Sequence, residues 1–340
     1  MKHRNRSANI TISSLKIGYK IDKSRYKIIS SNINTQLYSG ELTALLGENG
    51  VGKSALMRTL SSFIPKIEGD INLFSKPIDN YSVTDIAKMI GVVLTDRCLI
   101  KNMSVYELVS MGRAPYTNFW GVLSNIDKKI IEESIDLVGI SNLTNRDIDT
   151  LSDGERQKAM IAKALAQQTP IIFLDEPTAF LDFPSKVEIM RLLHNLCREF
   201  QKTIFLSTHD LELALQIADR VWLMDKQQGI TTGTPEDLSL NGDLSSFFSR
   251  KGIEFDKDSG LFRVSNRYSK KIKVTGHGQK FLMIKKALRR NGIDVSRECE
   301  SNTIIETKET NSNFIYVHHN NKKIDVQSID ELLWCIRDII

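Results

Sequence analysis

The chain has 340 residues, of which 41% are hydrophobic and 26% are charged, and its formal net charge is +5. This length predicts two domains, and the composition is typical of a soluble globular protein. No apolar run approaches the roughly 18 to 20 residues that a membrane-spanning helix needs. The four cysteines lie far apart, which argues against disulfides and a zinc site and favours a reducing compartment.

The positive charge is concentrated near the carboxyl end. Residues 241–340 contain 18 lysines and arginines against 13 aspartates and glutamates, whereas the rest of the chain has 28 of each. The neutral part therefore lacks the basic footprint of a nucleic-acid-binding surface, and nucleic acid is not an expected partner. We expect the basic excess of the tail to be a solvated surface.

The first element with a chemical signature is a glycine-rich loop between an apolar strand, residues 42–46, and a helix beginning near Lys53. Residues 47–54 read GENGVGKS and fit the pattern G-x-x-x-x-G-K-[ST], in which backbone N–H groups cradle phosphates. Lys53 adds a point charge for the β- and γ-phosphates, and Ser54 offers a hydroxyl to Mg²⁺. The predicted nucleotide contacts here are Gly47, Glu48, Asn49, Gly50, Val51, Gly52, Lys53, Ser54 and Ala55.

A second chemical element follows an apolar run at residues 171–174, which predicts a buried parallel strand. Asp175 and Glu176 stand at its carboxyl end, where α/β sheets place their ligands. One carboxylate can hold the Mg²⁺ shell and the other can activate a water for attack on the γ-phosphate. Between the two elements, Ser152 and Glu155 predict a capping box at the start of a helix.

The glycine loop, LSDGE at 151–155, IIFLDE at 171–176 and THD at 208–210 together resemble the ATP-binding cassette (ABC) ATPases. The resemblance covers roughly residues 8–240. It implies an α/β fold of the P-loop NTPase class, with a RecA-like core plus antiparallel β and helical subdomains. We therefore expect an ABC ATPase domain at 1–240, whose helical subdomain spans about 85–160.

The resemblance also implies residue roles. His209 matches the switch histidine near the γ-phosphate, and Asp182 lies in the D-loop region that follows Glu176. Tyr19 matches the aromatic residue that stacks on adenine, with Tyr26 as the alternative. With Glu176 as general base and His209 at the γ-phosphate, the expected reaction is hydrolysis of ATP with Mg²⁺.

The signature sequence, LSDGE at 151–155, and one glutamine position depart from the family pattern. Asp153 and Glu155 replace a glycine and a glutamine, whereas Ser152 and Gly154, which touch the partner's γ-phosphate in the family, are retained. Thr95 stands where the family has a glutamine that contacts Mg²⁺ or its water and the membrane partner. Asp96 could substitute for that glutamine instead.

The family mechanism implies a homodimer, because each ATP lies between the glycine loop of one copy and the signature of the other. Residues 102–116, NMSVYELVSMGRAPY, resemble importers for iron-siderophore, haem and vitamin B12, and leave the cargo open among these three. An importer implies integral membrane permease subunits, an indirect substrate-binding protein and a peripheral position on the cytoplasmic side of the inner (cell) membrane. The alternative is a non-transport ABC ATPase acting on ribosomes or DNA.

Residues 245–340 predict a small α+β accessory domain. Its expected strands lie at 271–275, 303–307 and 314–317, and its expected helices at 281–290 and 329–340. We expect a regulatory or dimer-stabilising role for it.

Overall fold

The computed structural model describes most of the chain. The described residues are 7–22, 25–94, 102–118, 120–226, 229–249, 253–256, 261–264, 268, 270–307, 315–320 and 322–339. Internal contacts divide the chain into two compact units. The cassette unit comprises Met1–Arg250 with Phe255–Phe262, and the C-terminal unit comprises Lys251–Glu254 with Arg263–Ile340.

The cassette unit contains an antiparallel sheet and a larger, mostly parallel one. The strands described for the antiparallel sheet are β1 (Ala8–Lys20), β2 (Tyr26–Tyr38), β4 (Glu68–Leu73) and β5 (Lys76–Pro77), in the order β2-β1-β4-β5. Those described for the larger sheet are β3 (Leu42–Gly47), β6 (Ile90–Val93), β7 (Ile171–Asp175), β8 (Thr203–Ser207), β9 (Arg220–Asp225) and β10 (Gly229–Gly233). Their order is β10-β9-β3-β8-β7-β6, and β10 alone among these six runs antiparallel to its neighbour.

The core of the larger sheet explains why its strands are continuous apolar runs. Parallel strands covered on both faces bury every side chain, and all five residues of both β7 and β8 are buried. Phe205 packs edge-on against Phe173, with ring centroids 5.4 Å apart, and lies 4.8 Å from the Trp222 ring. These aromatic contacts join β7, β8 and β9 on one face of the sheet.

Some helices of the cassette unit pack on the larger sheet, and others form a separate layer. The helices described for the cassette unit are α1 (Lys53–Leu60), α2 (Val83–Met89), α3 (Val105–Ser110), α4 (Asn125–Leu137), α5 (Asp153–Ala166), α6 (Phe183–Phe200), α7 (Leu211–Ile217), α8 (Pro235–Leu240) and α9 (Asp243–Ser249). Helices α3, α4 and α5 pack against one another in the region expected for the helical subdomain. No described helix is both long and apolar enough to cross a membrane.

A buried ion pair ties this helical layer together. The Arg113 guanidinium donates from Nε to Asp127 Oδ1 at 2.8 Å and from Nη1 to the Ala166 carbonyl at 2.8 Å. Asp127 belongs to the first turn of α4, whereas Ala166 ends α5. Hydrogen bonds from Ser124, followed by the bond from Arg113, lower the pKa of Asp127 to about 2. Arg113 therefore holds the end of α5, the signature helix, against α4.

The C-terminal unit has its own sheet and core. Its described elements are β13 (Lys270–Thr275), α10 (Gly278–Arg290), β14 (Ile293–Ser296), β15 (Thr303–Thr307), β16 (Ile315–His319), β17 (Lys322–Val326) and α11 (Ile329–Ile339). Two further strands, β11 (Ile253–Asp256) and β12 (Leu261–Val264), form a separate two-stranded sheet. The five-stranded order is β14-β13-β15-β16-β17 among the described residues. Apolar side chains of α10 and α11 pack on one face of this sheet. The predicted strands and helices are present, and β14 and β17 are additional.

We predict that Arg113→Met lowers the free energy of unfolding by about 3 kcal/mol or more, because it leaves the buried Asp127 carboxylate without its cation. The stabilisation from this carboxylate is present above its ordinary pKa of 3.8 and is lost as pH falls through about 2. The difference between wild type and variant, measured by urea unfolding, should therefore shrink as pH falls through this window.

A matched control is Lys129→Met, on the same helix as Asp127. Lys129 and its partner Glu133 are both exposed, and their charged groups lie 3.7 Å apart. This substitution should change stability by less than about 1 kcal/mol. Equal effects of the two substitutions would contradict a special role for the buried pair.

Candidate nucleotide-binding site

The site is positioned by three neighbouring strands, β3, β8 and β7. They are parallel and adjacent, so their carboxyl ends meet at one edge of the sheet. Gly47, Ser207 and Asp175 are the last residues of these strands. The chain segments that follow carry Lys53, His209 and Glu176 to the same edge.

Two of the three glycines of the loop, Gly50 and Gly52 but not Gly47, adopt a positive φ. Gly50 and Gly52 have φ values of 72° and 115°, in the left-handed region that favours glycine. A Cβ atom on Gly52 would lie 2.2 Å from Cγ2 of Ile29, so a side chain would not fit there. Helix α1 begins at Lys53, which turns the first N–H groups of the helix toward the loop.

Lys53, His209 and Glu176 form a continuous row of contacts. The buried Lys53 ammonium donates to the Gly47 carbonyl at 3.0 Å and to the Glu48 carbonyl at 3.2 Å. Its Nζ also lies 3.3 Å from Nε2 of His209, and that nitrogen lies 2.6 Å from Oε1 of Glu176. Nε2 can donate to the carboxylate or accept from the ammonium, but not both, so the imidazole has two alternative hydrogen-bonded arrangements. The geometry brings together three predicted residues from three parts of the chain.

Asp175 directly precedes Glu176 in the chain, and together with Ser54 it offers a donor set that suits Mg²⁺. Asp175 is buried at the end of β7, and Ser54 is partly exposed in the first turn of α1. A carboxylate and a hydroxyl, with phosphate oxygens and waters, are the ligands that Mg²⁺ prefers. Asp175 and Ser54 therefore fit the predicted metal-holding role. The third predicted ligand, Thr95, and its alternative Asp96 lie outside the described residues.

The signature residues form a group of their own at the start of α5. The Ser152 amide and hydroxyl both donate to Oε2 of Glu155 at 2.9 Å, and the predicted capping box is confirmed. These two bonds, the amide first, lower the pKa of the Glu155 carboxyl. Gly154 borders Ser185 on α6, and the Asp182 carboxylate caps α6 by accepting from the Ser185 amide at 3.1 Å. Ser152 itself is exposed.

Strand register bears on the choice between Tyr19 and Tyr26. Tyr19 pairs with Lys27, whereas Tyr26 pairs with the next residue of β1, Lys20. Because side chains alternate along a strand, the two tyrosines lie on opposite faces of the β1–β2 ladder. Ile29, which a Cβ atom on Gly52 would approach, lies at a register shift of this ladder, between Ile28 and Ser30, so alternation does not assign it to the face of either tyrosine. The choice of Tyr19 over Tyr26 as the adenine-stacking residue therefore stays a prediction.

A cleft of about 500 Å³ opens beside Glu176 and His209, with Phe180 and Lys186 also in its wall. The sequence did not predict Lys186, whose ammonium lies 3.1 Å from the Asp210 carboxylate. Nor did it predict Ser207, whose hydroxyl donates to Asp175 Oδ1 at 2.6 Å. In the sequence, Ser207 could have been singled out because it ends an apolar strand two residues before His209. Its hydrogen-bond partner, Asp175, could not have been named, because it depends on the order of the strands in the sheet.

Comparisons with known proteins agree with these motifs. A family profile described as ABC transporter matches residues 30–179, and one described as iron ABC transporter C-terminal domain matches residues 269–337. A solved structure of a metal-chelate type ABC transporter in an inward-facing conformation matches with a TM-score of 0.62 and 26% identity. That match covers 72% of this chain and 90% of the other.

Two relatives extend the comparison to sequence. The iron(3+)-hydroxamate import ATP-binding protein FhuC of Bacillus subtilis is 34% identical over 222 residues, covering 65% of this chain and 82% of the relative. An uncharacterized ABC transporter ATP-binding protein of Methanocaldococcus jannaschii is 37% identical over 247 residues, covering 73% of this chain and 85% of the relative. Identity at this level, over most of both chains, establishes that this chain belongs to the family of ABC transporter ATP-binding proteins.

Proposed function

We propose that the chain is the ATP-hydrolysing subunit of an importer that carries an iron-siderophore complex through a membrane permease. The observation that carries the ATPase assignment is the row of Lys53, His209 and Glu176 at the edge of the sheet, next to the glycine loop. The cargo class draws its support from the iron transporter match at residues 269–337 and from the iron-hydroxamate relative. These two matches favour an iron-siderophore cargo over haem and cobalamin, and transport over the ribosome- or DNA-associated alternative.

The proposed reaction follows from the residues at the sheet edge. The N–H groups of the loop and the start of α1 hold the triphosphate, and Lys53 exchanges its loop carbonyls for phosphate oxygens. Glu176 takes a proton from a water as the water oxygen attacks the γ-phosphorus. The bond from that phosphorus to the bridging oxygen of ADP breaks, giving ADP and phosphate. His209 orients the Glu176 carboxylate and the γ-phosphate, and bound Mg²⁺ would supply charge neutralisation at Asp175 and Ser54.

The proposed working form is a homodimer. Ser152 is exposed at the start of α5, two residues before Gly154. In the same copy, Lys53 contacts Gly47, Glu48 and His209. A second copy would bring its own Ser152 and Gly154, and the start of its α5, to the γ-phosphate held by the first copy. Two helix N-termini facing one triphosphate suit its high negative charge.

The proposed permease contact lies on the helical subdomain. Trp120, Val122 and Ile126 follow the GRAPY segment and are 82%, 66% and 72% exposed. Apolar side chains this exposed and this close in sequence are typical of an interaction surface. Docking there would hold the chain at the cytoplasmic face of the cell membrane. A substrate-binding protein would act on the chain only indirectly, through the permease. The role of the C-terminal unit stays regulatory or dimer-stabilising, which the dimer affinity of a chain lacking 245–340 would test.

We predict that Glu176→Gln leaves ATP affinity near wild type but lowers turnover by about 100-fold or more, because the amide cannot accept the proton of the attacking water. Lys53→Ala should instead weaken ATP binding itself. Both effects are measured on the purified chain by nucleotide binding and phosphate release. Glu188→Gln, on an exposed carboxylate of α6 that pairs with Lys158, is the control and should change neither quantity. Near-normal turnover in Glu176→Gln would remove Glu176 from the role of general base.

The importer assignment is tested by uptake of a labelled iron-siderophore complex in cells that express the chain with its permease. Trp120→Glu should abolish uptake and co-purification with the permease, because burying a carboxylate in an apolar contact costs about 2 kcal/mol or more, while ATP binding persists. Phe63→Glu, on an exposed aromatic residue outside the helical subdomain, should behave as wild type. Normal uptake with Trp120→Glu would contradict this docking surface, and absence of uptake with the wild-type chain would contradict the iron-siderophore assignment.

A further inference from the structure

Ser207 connects the two acidic residues of the site. It is the last residue of β8, is fully buried and stands opposite Asp175, the last residue of β7. Its hydroxyl donates to Asp175 Oδ1 at 2.6 Å and accepts from the backbone N–H of Glu176 at 2.9 Å. A serine hydroxyl has one hydrogen to donate and lone pairs to accept with, so both bonds can form at once.

The backbone of Glu176 needs this support. Its φ is 51°, in the left-handed region that a side chain of this size rarely adopts. Such strain costs roughly 1 to 3 kcal/mol and persists only where surrounding contacts hold it. The Glu176 N–H is shared between the Ser207 hydroxyl and the Ser207 carbonyl, the latter at 3.2 Å. Ser207 thus holds the Glu176 backbone in the conformation that directs the Glu176 side chain toward His209.

We propose that Ser207 is a positioning residue for ATP hydrolysis, whose hydroxyl fixes the metal-holding carboxylate and the water-activating carboxylate relative to each other. The inference rests on the proposed ATPase function. In this role Ser207 contacts neither phosphate nor the attacking water, because it is fully buried and donates its one hydroxyl hydrogen to Asp175. Its position is set by the β7–β8 register, which places Asp175 and Ser207 side by side.

Loss of the hydroxyl has a defined set of consequences. In Ser207→Ala, Asp175 Oδ1 loses a buried donor and the Glu176 backbone loses one of its two acceptors. The glycine loop and Lys53 are untouched, so the KM for ATP should stay near wild type while kcat falls about 10- to 100-fold, the usual cost of removing a partner behind a metal ligand. Ser207→Thr keeps the hydroxyl and should recover most of kcat.

The strand provides a matched control at its other end. Thr203 begins β8, is fully buried, and its hydroxyl accepts from the Asn9 side chain at 2.7 Å. Thr203→Val removes a buried hydrogen-bonded hydroxyl from the same strand, far along it from the acidic pair. A merely structural effect of Ser207→Ala should therefore be matched by Thr203→Val.

The experiment compares the full chain as wild type, Ser207→Ala, Ser207→Thr and Thr203→Val. Steady-state ATPase kinetics give kcat and KM, and Mn²⁺ titration in the presence of ATP, followed by electron paramagnetic resonance, reports the metal site independently of turnover. We expect lower kcat and weaker Mn²⁺ binding in Ser207→Ala only.

The proposal is overturned if kcat and Mn²⁺ affinity of Ser207→Ala stay within about twofold of wild type, or if Thr203→Val loses as much of either. A wild-type chain that hydrolyses no ATP, even with its permease, contradicts the proposed function instead. The two failures are therefore distinguishable.

Discussion

The side-by-side parallel pairing of β3, β8 and β7 is the constraint on which the site depends. It places the ends of three strands, separated by long stretches of sequence, at one edge of the sheet. Strands β7 and β8 are buried throughout, and β3 is buried up to its last residue. The polar residues that follow the three strands therefore emerge together at this edge. Lys53, His209 and Glu176 meet there within hydrogen-bonding distance.

A different constraint governs the signature group. Ser152 and Gly154 are set by the start of α5, which Arg113 anchors at its far end through Asp127 and the Ala166 carbonyl. A rigid helix held in this way can transmit a displacement of the helical subdomain to the residues at its start. In the proposed dimer, contact with the permease and contact with the neighbouring copy's nucleotide would thus be joined by one helix.

The sequence predicted those parts of the molecule that depend on local pattern. The glycine loop, the buried strands β3, β7 and β8, and the Ser152–Glu155 capping box are set by residues close together in the chain, and the structure confirms these elements. Ser207 and Arg113 could not be assigned in this way, because their partners lie 32 and 14 residues away and depend on strand register and helix packing. Strands β14 and β17 are short, with β17 largely exposed, and so lack a strong apolar signal.

The composite, two-copy site is tested most directly by mixing two inactive variants. Lys53→Ala disables the loop half of each site, and Gly154→Asp places a negative charge in the signature half; a Cβ at Gly154 meets only ordinary contacts with Ser185. Each variant alone should be inactive. A mixture should regain ATPase activity, up to about a quarter of wild type, because one site of each mixed dimer combines two intact halves. A mixture as inactive as its components would contradict the shared site.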